Sequence, residues 1–341
     1  MRKADTAPGV RRQHAKATRP VLQHARSRVA RAGAALLSFI LFATLAFALV
    51  ACGETANGSG PLGPSEGTTS GPAFQRPDLV LSPFDPEAAI EQNGALIDIS
   101  HVQEGYVAAS ATSPSRLKFQ VASDTYEYNY DLPSDGTPIS CPLTAGDGTY
   151  TFTVWENTSG NRYVELASVA DTQVTLADEF QPFIRPSIYC DYNAESASTK
   201  LANDLCADAQ NQGDVVRAVY DWIVNNVAYD EPKAIELADA TGYIPFPDAT
   251  ISDQDGICFD YASLAAAMLR SQGIPCKIVT GTVSPDNIYH AWNMVYIDGT
   301  WVDTYIDIES NTWTRIDTTF AAGGGSTYAG DGTNYTDRYT Y

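Results

Sequence analysis

One local run constrains this chain more than any other: Gly256-Ile257-Cys258-Phe259-Asp260-Tyr261-Ala262, a helical stretch to Gly273-Ile274-Pro275, then His290-Ala291-Trp292. It sets a thiol at the start of a helix and an imidazole on a strand that follows. Tyr261, Leu264, Ala265 and Leu269 form an apolar stripe at helical spacing. Gly273 as a cap and Pro275 beyond it stop the helix. A thiol becomes a nucleophile as the thiolate, which a helix N-terminus and a neighbouring imidazolium both favour. Of the four histidines, His14 and His24 lie in an N-terminal export segment, which leaves His101 and His290. His101 falls in a β-rich region, so His290 is the base expected for Cys258. Without it, Cys258 would read as an ordinary core cysteine.

The first 51 residues read as a targeting segment. Arg26, Arg28 and Arg31 end a basic stretch, an apolar run covers Ala32 to Ala51, and Leu49-Val50-Ala51-Cys52 resembles a lipobox with Cys52 as the lipidated residue. An uncleaved membrane helix is the alternative; both readings tether the protein outside the cytoplasmic membrane. Residues 52–77 are Gly-, Ser- and Pro-rich and read as a flexible linker. Nine of the 21 basic residues and one of the 41 acidic residues lie in 1–51, leaving 12 against 40, a net charge of -28. Such a surface repels nucleic acid and anionic headgroups and suits neutral or cationic substrates.

From 78 to 190 the pattern is β-like. Leu117–Val121, Tyr126–Tyr130, Gly148–Trp155 and Gln173–Leu176 alternate, with turn residues between them at Pro133–Gly136, Gly146–Gly148 and Thr158–Asn161. A small antiparallel β-sandwich is expected. From 191 to 341 the pattern is α+β, helices on an antiparallel sheet. Val216, Val219, Tyr220, Ile223, Val224 and Val227 give a helix one apolar face, ended near Pro232. The stretch from there to Ile251, with Gly242, Pro245 and Pro247, reads as a long surface loop. Beyond Cys52 and Cys258, the cysteines Cys141, Cys190, Cys206 and Cys276 allow three disulfide pairings, of which Cys190–Cys206 is the shortest in sequence. With two histidines available a zinc site is not expected, and no cofactor is expected.

Residues from about Gly213 to Phe320 resemble the transglutaminase-like superfamily of papain-like thiol enzymes. The resemblance is carried by Cys258-x-Asp260-Tyr261-Ala262, Leu269-Arg270-x-x-Gly273-Ile274-Pro275, Gly281, His290-Ala291-Trp292 and Trp313-x-x-Ile316-Asp317-Thr318-Thr319-Phe320. It implies a papain/transglutaminase-like domain, a Cys-His-Asp triad, an acyl-thioester intermediate and no metal for the chemistry. The β-region resembles, more loosely, the accessory domain of secreted clostridial-type members.

Two aspartates compete for the third place. Asp303 follows Trp301 by two residues, and Asp317 follows Trp313 by four, the family's spacing. If Asp298-Gly299 made a tight hairpin, Asp303 would pair opposite Met294, roughly 13 Å along the sheet from His290. Asp317 needs 298–311 to loop out and Thr312 onward to rejoin the histidine strand; it is preferred, with Asp303 the alternative and Asp307 a weaker third. The backbone N–H of Cys258 is one expected oxyanion donor, and Trp222, Asn226 and Tyr229 are open for the second.

The expectation is a membrane-anchored, extracytoplasmic thiol enzyme, a cysteine peptidase or amidase acting on protein or peptidoglycan stem peptides. A true transglutaminase and a catalytically degenerate surface binding module are the alternatives.

Overall fold

Inward-facing alternate residues at Leu117, Phe119 and Val121 need a facing sheet to bury them. The computed structural model, which describes residues 67–238, 240–284, 287–303, 306–323 and 334–341, supplies one. A short strand, β1 (Thr68–Ser70), belongs to the later half of the fold. Then β2 (Ile90–Gln92), β3 (Ala95–Asp98), β4 (Tyr106–Ala111), β5 (Leu117–Ser123), β6 (Glu127–Leu132), β7 (Ile139–Pro142), β8 (Gly148–Ser159) and β9 (Arg162–Val174) make two antiparallel sheets, ordered β2-β3-β4-β7 and β6-β5-β8-β9. Phe119, Val121, Tyr130, Phe152 and Val154 of one sheet share a core with Ile97, Val107, Ala109 and Cys141 of the other. Each fully buried large side chain there contributes about 2–3 kcal/mol of apolar burial.

The later half is α+β. Its helices are α1 (Ala197–Leu205), α2 (Gln212–Asn226), α3 (Glu231–Leu237), α4 (Pro247–Asp253) and α5 (Cys258–Ser271). Two two-residue strands, β10 (Ala228–Tyr229) and β11 (Asp255–Gly256), run parallel to each other. The main sheet is built from β12 (Cys276–Val283), β13 (Ile288–Val295), β16 (Thr314–Ile316) and β17 (Tyr335–Thr340), in the order β16-β13-β12-β17. Between β13 and β16 the chain leaves this sheet, forming β14 (Thr300–Val302) and β15 (Asp307–Ile308), then returns and enters α6 (Thr318–Ala322). α5 is buried from Asp260 to Ser271 and is the central helix of the core. Ala291 and Val295 of β13 join that core, and Asn293 Nδ2 donates to the Ala262 carbonyl at 2.9 Å. Arg270, 1% exposed, has no carboxylate partner among the described residues and instead donates to the carbonyls of Cys276, Arg185 and Tyr341. It ties α5 to the sheet, to the segment entering from the sandwich and to the last residue of the chain.

Four sequence expectations change. Residues 67–77 are not free linker: β1 pairs with β14, the Phe74 N–H donates to the Gln210 carbonyl at 2.8 Å, and Arg76 Nε donates to Gln272 Oε1 at 2.7 Å. Thr-Thr-Ser is a strand sequence, and Phe74 has apolar surface to bury. The expected loop at 232–251 contains α3 and α4, because Pro232 and Pro247 stand in first helical turns, where proline starts a helix rather than breaking one. Cys190 and Cys206 are not paired; Cys141, Cys190, Cys206, Cys258 and Cys276 are all free. Strand β17 was not foreseen. The described residues all lie within one compact unit, 61–341. The expected export segment 1–51 and its expected lipidation site, Cys52, lie outside the described residues. Among the latter, no helix is long and apolar enough to cross a membrane.

Candidate active site

The start of α5 is fixed by a carboxylate. Asp260, 1% exposed, turns back so that its Oδ2 accepts the Ile257 N–H at 2.9 Å, the acidic half of a capping box. Gly256 makes room for it: a Cβ there would stand 2.7 Å from the Asp260 Cβ. The same carboxylate accepts from Lys233 Nζ at 2.8 Å and from Tyr243 Oη at 2.5 Å. Burial lowers the Lys233 pKa, but the bonds to Asp260 and Tyr243 outweigh it and hold the ammonium above its ordinary value. This clamp locks α3 and the segment after it onto the helix that begins with Cys258.

The β10–β11 pairing sets Tyr229 opposite Gly256, and Tyr261 Oη reinforces it by donating to the Val227 carbonyl at 2.6 Å. Tyr229 thereby stands within electrostatic reach of Cys258: burial first, then the Cys258 charge, pushes its phenol up to about 12. Of the three side chains considered as a second oxyanion donor, Asn226 Nδ2 is spent on the Trp222 carbonyl at 2.7 Å, and Trp222 packs against the core. Tyr229 is the one close enough to Cys258 to feel its charge.

His290 sits on β13 opposite Gly281 of β12 and is 4% exposed. Its Nε2 is 2.7 Å from Asp317 Oδ2, which leaves Nδ1 for the thiol. Phe320 stacks on the imidazole, with centroids 4.3 Å apart and planes 21° off parallel. Burial lowers the pKa of His290, but hydrogen bonds and charge from Asp317 and Cys258 outweigh it and raise the value from 6.5 to about 10. The imidazole is therefore an imidazolium at neutral pH, a cation held between a carboxylate and a sulfur.

Asp317 reaches this position because β16 rejoins β13, pairing Ile316 with Asn293, so that the next residue arrives level with Trp292. It is also the N-cap of α6, its Oδ1 accepting the Phe320 N–H at 3.0 Å. Asp303 follows β14 in the small sheet with β1, where its N–H donates to the Ile306 carbonyl at 2.7 Å and its Cβ lies against Gly67. Asp307 is exposed on β15, paired with Val302. The other histidine after residue 51, His101, stacks on Tyr106 and bonds Glu104 at 3.0 Å in the sandwich. Two features of the site carried no signal in the sequence reading: the Lys233–Asp260–Tyr243 clamp, and Tyr335, whose hydroxyl donates to Asp317 Oδ2 at 2.9 Å.

Residues 199–306 match the family model of the transglutaminase-like superfamily. The match contains Cys258 and His290 and stops short of Asp317. The human kyphoscoliosis peptidase is 31% identical over 138 residues, 37% of this chain and 20% of that protein. A UPF0252 protein of Archaeoglobus fulgidus is 30% identical over 101 residues, 26% of this chain and 32% of its own length. The chain thus spans about a fifth of the kyphoscoliosis peptidase and a third of the archaeal relative. Among solved structures, a Cytophaga hutchinsonii protein described as a candidate cysteine protease is 19% identical, with a TM-score of 0.34, over 68% of this chain and 80% of that one.

Proposed function

We propose that this chain, which carries a transglutaminase-like domain at residues 199–306, is a thiol acyl-transfer enzyme acting as a cysteine peptidase or amidase. The observation that carries the reading is the 2.7 Å bond from His290 to Asp317, with Cys258 near enough to the same imidazole to help raise its pKa. The Cys258 sulfur attacks an amide carbonyl, forming a C–S bond and sending the carbonyl electrons to oxygen. The Cys258 N–H at the helix start faces that oxyanion, with the Tyr229 hydroxyl as the second donor. Collapse breaks the C–N bond, and His290 delivers its proton to the leaving amine. The neutral imidazole then takes a proton from water as its oxygen bonds to the thioester carbon; collapse breaks the C–S bond, returning its electrons to the Cys258 sulfur, and the carboxylate product leaves. Asp317 keeps the ring oriented throughout.

Hydrolysis is preferred to amine transfer because the kyphoscoliosis relatives carry the name of a peptidase. The substrates are protein or peptidoglycan stem peptides, met outside the cytoplasmic membrane by a protein tethered through lipidated Cys52. The surface net charge of -28 suits neutral or cationic peptides rather than nucleic acid. The buried, paired Asp317 argues against a degenerate binding module, which has no need of it. The test is mass spectrometry of casein and of stem peptides after incubation, with and without a primary amine, using Cys258→Ala as control. Cleavage by the wild type alone supports the reading. Amine incorporation without cleavage would make the enzyme a transglutaminase, and equal action by Cys258→Ala would end the thiol reading.

A further inference from the structure

We propose that Tyr335, delivered by the C-terminal strand, is a positioning residue that pins the Asp317 carboxylate for His290. The inference rests on the thiol-enzyme reading above. Asp317 has two oxygens and three donors: the Phe320 N–H on Oδ1, and both His290 Nε2 and Tyr335 Oη on Oδ2. The first and third hold the plane of the carboxylate from opposite ends, and the second reads the result. A carboxylate held at one end alone turns about its own axis, and the imidazole turns with it.

The strand is built to bring this hydroxyl here. β17 pairs with β12, matching Thr280 with Tyr339 but then Gly281 with Asp337, so Arg338 is an extra residue in a bulge. Without the bulge, Val283 would face Thr336 and Tyr335 would point to the opposite side of the sheet, since one residue of register exchanges the faces. With it, Val283 faces Tyr335, and Tyr335 shares a side with Trp292 and His290. Gly281 is what lets β17 lie so close: a Cβ there would collide with the Thr336 carbonyl and stand 2.9 Å from the Trp292 ring. The far end of the strand is clamped by Arg270 on the Tyr341 carbonyl and by the reciprocal bonds of Tyr341 with Ile278. The Tyr335 ring itself is gripped between the Arg315 guanidinium, 3.9 Å from its centroid, and the Trp292 ring, whose centroid lies 4.9 Å away with the planes 79° apart. Burial, followed by the Asp317 charge, raises the phenol far above its ordinary range, so it donates and never ionises.

The test is a double-mutant cycle on 4-nitrophenyl acetate, an activated ester that acylates a thiol and releases a coloured phenolate. Tyr335→Phe removes one oxygen and keeps the ring in its grip. It should lower kcat about tenfold, as expected for losing a bond to a charged acceptor, with KM unchanged and thermal unfolding close to wild type. In an Asp317→Ala background, Tyr335→Phe should change kcat by less than about twofold, because its acceptor is gone. Wild-type kcat in Tyr335→Phe would overturn the inference. So would equal losses in both backgrounds, or a loss in KM alone. A Cys258→Ala enzyme that hydrolyses the ester like wild type would instead sink the thiol reading; an inactive Cys258→Ala beside an unaffected Tyr335→Phe would sink only the role of Tyr335.

Discussion

Asparagine in place of Asp317 is the most informative single change in the site. It keeps the volume, and its carbonyl oxygen can still accept the Phe320 N–H that caps α6. What it removes is the negative charge 2.7 Å from His290 Nε2. Burial is the largest influence on this imidazole and pushes its pKa down; Asp317 and Cys258 together raise it to about 10. With Asp317 neutral, Cys258 alone opposes burial, so the pKa falls, and the ring is also free to adopt the unproductive tautomer. In the serine-protease template the equivalent change costs about 10⁴ in turnover; because a thiol is intrinsically a better nucleophile than a hydroxyl and leans less on its base, a loss of about 10² or more is expected here. Asp303→Asn should stay within about twofold of wild type, because Asp303 stands against Gly67 in the small sheet rather than at His290. Initial rates on 4-nitrophenyl acetate at pH 7, with thermal unfolding of each variant, make the comparison. An Asp317→Asn enzyme retaining more than about a third of wild-type kcat, or a larger loss in Asp303→Asn, would refute the orienting role argued from this bond.

Asp260→Ala should destabilise the fold by about 3 kcal/mol in urea unfolding, the low end for breaking a buried ion pair, because the Lys233 side chain left behind is 31% exposed and partly rehydrates. A change below about 1 kcal/mol would mean that the clamp on α5 is ornamental. Stability should also depend on pH through His290, whose folded pKa of about 10 lies above its unfolded value near 6.5. Its contribution is then complete below about pH 6.5 and lost as pH rises toward 10, a few kcal/mol in all. Thermal unfolding from pH 6.5 to 10 should fall more steeply for wild type than for His290→Ala, and parallel curves would contradict the raised pKa.

How much of this was legible in the sequence follows from the range of each signal. α5 announces itself because Tyr261, Leu264, Ala265 and Leu269 are local and periodic, and Gly273 closes it with a φ of 75°. The excursion of 298–311 could be worked out from strand arithmetic, since 3.3 Å per residue forbids a short hairpin from serving His290. β4 was silent for the opposite reason: Tyr106-Val-Ala-Ala-Ser-Ala is buried at every position, so it shows no alternation. Pro232 and Pro247 were misread because proline marks helix starts and loops alike. The clamp of Lys233 and Tyr243 on Asp260 and the arrival of Tyr335 at Asp317 join residues 27, 17 and 18 positions apart, pairings that no local periodicity encodes.

The central claim is that Cys258 carries the acyl group and His290 lets it go, and time-resolved intact-mass spectrometry with 4-nitrophenyl acetate tests it most directly. Burial pushes the thiols of Cys190 and Cys276 to about 12 and that of Cys206 to about 11, and raises Cys141 further, so none of these competes as a nucleophile at neutral pH. The account predicts one acetyl group per chain, mapped to Cys258, that forms, decays and re-forms while ester remains. Cys258→Ala should carry none and release no phenolate above background. An acetyl group mapped to another cysteine, or undiminished turnover in Cys258→Ala, would contradict it.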